Sequence, residues 1–100
     1  MLSYIKEVKL RKNGQINIPS EVRNEFNLKI GNIVKILSED NSIILTKDKN
    51  LKLENESVIS QRGSVSIPIE IRKIKKLSDN MIFQMGVDKD RKRIYLVPKL

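Results

Sequence analysis

Chemistry at neutral pH needs a group that trades protons or attacks an electrophile, and this chain is poor in both. It contains no histidine and no cysteine. The commonest general base, the commonest zinc ligand, thiolate nucleophiles and disulfides are therefore excluded. The serines have no imidazole to activate them, and Gly14 and Gly63 are single glycines rather than a phosphate-cradling run. Asp88 and Asp90 form a closely spaced pair in an expected turn, where aspartates serve backbone hydrogen bonds more often than cations. The chain reads as a non-enzyme with no cofactor and no metal.

What the residues do offer is positive charge. Twenty lysines and arginines face twelve acids, for a net charge of +8 and a pI of about 9.9. In 100 residues that excess favours a polyanionic partner. Arg72, Lys75 and Lys76 recur at three- and four-residue spacing, which on a helix would form a basic stripe turned away from a seam of Ile71, Ile74 and Leu77. Arginine forks suit phosphates or guanine edges, whereas lysines supply point charge. Duplex DNA fits better than RNA, because Tyr4, Phe26, Phe83 and Tyr95 are the only aromatics and two of them fall on core-facing periods.

No run of about 18 apolar residues is present, so no membrane partner is expected. The opening "MLSYIKEVKL" carries charge within its apolar residues and does not read as a signal peptide. A cytoplasmic setting is the expectation, consistent with the lack of cysteine.

The elements that must position these cations come in two copies. Sliding the chain against itself by 49 positions superposes Gly14 on Gly63, Ile18 on Ile67, Pro19 on Pro68, Glu21 on Glu70, Arg23 on Arg72, Leu28 on Leu77 and Ile33 on Ile82. "SIILTK" answers "RIYLVPK" once two residues are added in the loop "GVDKDRK". Within a copy, Val8 and Leu10 followed by Ile16 and Ile18 predict a hairpin around the Asn13-Gly14 turn. Pro19 ends that strand and starts a short helix. Ile33–Leu37 and Ile43–Thr46 predict a second hairpin, as do Ile82–Met85 and Ile94–Val97.

A half of about 45 residues with one apolar face rarely folds alone. Residues 1–47 are therefore read as a first half, 48–56 as a connector and 57–100 as a second half, both closing into one domain. The expected fold is mainly β with two short helices, a β-barrel built from two internal repeats.

This pattern, a hairpin, Gly, an alternating strand, "IP", "E[VI]R", Leu and then a second hairpin, resembles the AbrB/SpoVT-type swapped-hairpin family. Val8–Lys47 carries Gly14, Ile18, Pro19, Glu21, Arg23, Leu28 and Gly31; Val58–Lys99 departs from the pattern with Asn80 in place of the later glycine. The resemblance implies a swapped-hairpin barrel that binds double-stranded DNA as a transcriptional regulator. It also implies that Lys9, Arg11, Lys12 and Arg23 of the first copy, with Arg62, Arg72 and Lys73 of the second, make the contacts, to which the spacing argument adds Lys75 and Lys76. Gln15 and Ser64 stand where such proteins often carry a basic residue after the turn glycine.

Several alternatives stay open at this level. Arg23 and Arg72 could instead form ion pairs with glutamates of the other half, and Asn13 and Gln15 serve turn formation as readily as base recognition. Glu21 and Glu70 complement the positive helix N-termini. Pairing within one chain and self-association between chains are both compatible with the repeat. Antitoxin action is one rival function; an acidic segment would have to follow the barrel, whereas "LVPKL" closes this sequence. A non-DNA protein-interaction module is the other. The halves also differ in charge, with nine cations against six acids in residues 1–50 and eleven against six in 51–100. An asymmetric DNA site is the corresponding expectation.

Overall fold

Pro19 and Pro68 adopt φ −56° and ψ near 147° and 146°. Each ends a strand and opens a helix, because proline cannot donate to a ladder and its φ suits a first helical turn. A computed structural model describes residues 2–39, 41–47 and 55–99. In chain order its elements are β1 (Leu2–Lys9), a 3-10 turn (Lys12–Gly14), β2 (Gln15–Asn17), α1 (Ser20–Glu25), β3 (Ile33–Glu39), β4 (Ser42–Thr46), β5 (Glu56–Val58), β6 (Ser64–Ser66), α2 (Ile69–Ile74), β7 (Ile82–Asp88) and β8 (Arg93–Pro98). The protein is thus mainly β with two short helices.

The strands form a six-stranded sheet in the order β1-β7-β8-β4-β3-β5 and a separate ribbon of β2 with β6. Every pairing is antiparallel. Hairpins β3–β4 and β7–β8 lie where the apolar periods predict them. The first hairpin does not: β1 pairs with β7, while β2 pairs with β6. The Arg11–Gln15 turn is still tight, with Arg11 N donating to Gln15 O at 2.8 Å. Strand partners change because the chain turns off the large sheet here, so alternation identified the buried residues but not their ladders.

The expected barrel is likewise not closed. β1 and β5 are edges of the large sheet and do not pair with one another. Each runs into a turn that carries the chain away to β2 or β6, so the ribbon covers the gap instead of a continuous ladder. Ile16 and Val65, opposite each other in the ribbon, are buried beneath it with Leu10, Ile18, Phe83, Met85 and Leu96. Burying that set supplies the main stabilisation, at about 1.5 to 3 kcal/mol per large apolar side chain before entropy is set against it.

Hydrogen bonds between the chain's two ends recur at the 49-residue offset. Ile18 N donates to Gly63 O at 2.9 Å and Ile67 N to Gly14 O at 2.8 Å; Gly31 N donates to Ile59 O and Asn80 N to Leu10 O, both at 2.8 Å. Lys9 opposite Ile82 and Val58 opposite Ile33 repeat the exchange in the large sheet. Residues 48–54, most of the expected connector with Leu51 and Leu53, lie outside the described residues. Glu56 already belongs to β5, and Ile36 N donates to Asn55 O at 2.9 Å.

Candidate nucleic-acid interface

The glycines and arginines of the two copies meet across the molecule. Gly14 has φ +74° and Gly63 φ +75°, the left-handed region that favours glycine. Neither has room for a side chain: a Cβ on Gly14 would lie 2.5 Å from Arg72 Nε, and one on Gly63 would lie 2.6 Å from Arg23 Cζ. Each guanidinium therefore lies against the other copy's turn. Arg23 Nε donates to Ile18 O at 2.9 Å and Arg72 Nε to Ile67 O at 3.0 Å, which fixes both side chains. Among the described residues neither arginine forms an ion pair with a carboxylate. The expected alternative of glutamate pairing is replaced by a backbone carbonyl, and both residues are half-buried.

This exchange gathers the cations unevenly. The turn that bears Arg11 and Lys12 packs on α2 through Gly14 and Arg72, and Leu10 bonds Asn80 and Met81 just beyond that helix. Lys9, Arg11 and Lys12 thus share one end of the molecule with Arg72, Lys73, Lys75 and Lys76. At the other end, the turn bearing Arg62 packs through Gly63 on Arg23 of α1, which carries two acids, Glu21 and Glu25, where α2 carries Glu70 alone. Lys9, Arg11, Lys12, Arg62, Lys73 and Lys76 are exposed.

The expected helical stripe is not formed. Helix α2 ends at Ile74, Lys75 is its C-cap, and Lys76 takes φ +54°. Leu77 N reaches back to Arg72 O at 2.8 Å, a left-handed C-terminal cap that turns the chain before a second helical row can develop. Lys75 Nζ instead reaches Glu39 O. The anticipated seam fails at Ile74, which is 74% exposed, although Ile71 is buried and Leu77 half-buried.

Between the two turns lies an uncharged ribbon face. Gln15, Asn17 and Ser66 are exposed on it, while Ser64 is buried and its hydroxyl contacts that of Ser60 at 2.9 Å. Alternation alone marks this face, since Ile16 and Val65 point the opposite way, but the face carries no charge and so no electrostatic signal in the sequence. In the β7–β8 turn, Asp88 Oδ1 accepts the N–H groups of Asp90 and Arg91 at 3.1 and 3.2 Å. These bonds, that from Arg91 foremost, hold the Asp88 carboxyl below its usual range.

Residues 7–52 match the MazE family of bacterial antitoxins, described as antidote-toxin recognition. The matched segment is just under half of the chain, runs from the end of β1 through β4 and includes Gly14, Pro19 and Arg23. The family's description is one of recognition rather than catalysis. No curated protein matches the chain. In fold, the chain is similar to the solution structure of PHS018 from Pyrococcus horikoshii, with a TM-score of 0.58, 18% identity, and coverage of 96% of this chain and 89% of that one. Among the described residues, no helix is long and apolar enough to cross a membrane.

Proposed function

We propose that this protein is a double-stranded DNA-binding transcriptional regulator of the AbrB/SpoVT type. In this reading it is formed by two tandem swapped-hairpin halves within one chain and is associated with the nucleoid. One observation carries it: the turn of the first copy and the helix region of the second collect exposed Lys9, Arg11, Lys12, Lys73 and Lys76 beside an uncharged amide- and hydroxyl-bearing ribbon. Cations supply affinity for phosphates, and a two-stranded ribbon is narrow enough to enter a major groove, where Gln15 and Asn17 can hydrogen-bond base edges. Arg62 adds charge at the opposite end. Arg23, Arg72 and Lys75, already engaged with backbone carbonyls, contribute secondarily.

Titration against duplex DNA at two salt concentrations tests the reading. About six phosphate contacts predict an affinity loss of about a thousandfold or more between 50 and 200 mM salt. Lys12→Glu and Lys73→Glu should each weaken binding more than Arg62→Glu. Salt-insensitive or absent binding sinks the proposal. Arg23→Ala and Arg72→Ala sort the two roles of those residues: a loss of about 1 to 3 kcal/mol in binding marks DNA contact, and unchanged affinity with a lower Tm marks purely structural pins.

A second reading rests on the matched family's description, antidote-toxin recognition. There the same fold would bind DNA and also neutralise a toxin. Co-expression with a small ribonuclease-like toxin encoded beside it tests this, rescue of growth being the expected outcome and unrelieved toxicity the adverse one.

A further inference from the structure

A cleft of about 440 Å³ opens between the C-terminal end of α1, strands β3 and β4, and the β7–β8 turn. Its floor is apolar, from half-buried Phe26 over the buried Leu28, Val34, Leu45 and Ile94. Its rim carries Lys47, Lys89, Arg91 and Lys92 against one acid among the described lining residues, Glu25. Most of this charge is only partly answered. Lys89 pairs with Glu25 at 3.3 Å, Arg91 lies 4.0 Å from Asp88, and Lys47 Nζ donates to Asn27 O at 3.0 Å. Among the described residues the Lys92 ammonium has no ion-pair partner. Like charges around a low-dielectric floor raise the local potential for an anion.

The corresponding positions in the other half carry different residues. At the 49-residue offset, Val34 corresponds to Phe83, whose ring is fully buried. Phe26 corresponds to Lys75, which crosses to Glu39 O on the β3–β4 hairpin. A smaller core residue and an aromatic in place of a bonded lysine distinguish the two sides: the opening at the β3–β4 tip is lined by Ser38, Glu39, Asn41 and Ser42 and has no apolar floor.

We propose that this cleft binds a small amphipathic anion, its apolar body against Phe26 and its anionic head held by Lys92 and Arg91. The volume falls within the range of small-molecule sites, and an apolar floor with a few convergent charges is their usual composition.

Octanoate titrated into the 15N-labelled full chain tests this. Backbone amides of Leu28, Thr46, Lys92 and Ile94 should shift saturably, at roughly millimolar concentration for so small a ligand, while amides of the β2–β6 ribbon stay in place. Octanamide, of the same shape without the charge, should bind at least about fivefold more weakly, as should octanoate to Lys92→Glu. Val34→Phe, which installs the other half's residue, should abolish the shifts. The proposal is overturned by equal binding of octanamide, by Lys92→Glu binding as tightly as the parent, or by shifts that never saturate. If Val34→Phe does not fold, the surface variant and the neutral ligand decide alone.

Discussion

The two ends of the molecule differ in what surrounds an almost identical pin. At one end Arg72 lies on Gly14, on a helix that carries Glu70 and Lys73 and is followed by Lys75 and Lys76; at the other Arg23 lies on Gly63, on a helix that carries Glu21 and Glu25. The pins keep the same φ, the same close approach and the same carbonyl acceptor. The residues around them differ in charge, and the core beneath differs in size, Val34 against Phe83. Backbone geometry held by glycine and an arginine fork thus admits very different surfaces, which is how one scaffold can present a cationic end and an amphipathic cleft at once.

Core truncation should break the equivalence most severely. Phe83→Ala removes a fully buried ring and should cost about 4 kcal/mol, whereas Val34→Ala, bordering an existing cleft, should cost about half as much. Urea unfolding of both variants measures the difference, and equal losses would mean that the cleft does not relieve packing around Val34.

The pins come next. Gly14→Ala and Gly63→Ala each force an L-residue into left-handed backbone and displace an arginine, for about 2 kcal/mol apiece and a Tm loss of roughly 10 °C. The two losses should agree closely. Combining Gly14→Ala with Arg72→Ala should be less costly than the sum, because the clash disappears, while Gly14→Ala with Arg23→Ala should simply add. Additivity in the first pair would show that the arginine does not constrain the turn.

A smaller contrast separates the two hairpin tips by pH. Asp88 accepts two backbone N–H groups, and its folded pKa lies below the unfolded value. Its contribution is therefore fully present above about pH 4 and is lost as pH falls through the depressed folded value. Asp88→Asn should lower stability at pH 7 and flatten the acid side of the stability profile; an unchanged profile would mean the carboxylate is equally solvated in both states.

Sequence patterning reached the element types, the hairpins β3–β4 and β7–β8, and most of the core, because alternation and proline act locally. It missed the ladder partners of β1 and β2, since Val8, Leu10, Ile16 and Ile18 alternate identically whether they face each other or strands from the far end of the chain. The 49-residue offset pointed to the same glycine and arginine in both copies but could not reveal that each touches the other's equivalent. The lysine stripe was misplaced for a different reason. Helical spacing was carried through Lys75 and Lys76, where Lys76 adopts a left-handed conformation that nothing in its residue type announces.

The least costly exchange tests whether left-handed backbone alone separates two otherwise matched sites. Gly31 at φ +88° and Asn80 at φ +69° occupy equivalent positions, and each donates its N–H at 2.8 Å to a carbonyl of the other half. A Cβ on Gly31 would meet nothing within 4 Å, in contrast to Gly14. Only backbone preference is then at stake, and asparagine tolerates the left-handed region better than most residues. Gly31→Asn and Asn80→Gly should each change stability by less than about 1 kcal/mol, the second mainly through the freer unfolded chain. A Gly31→Asn loss as large as that of Gly14→Ala would show that space as well as φ restricts this turn, and the distinction between the two glycine sites would fall.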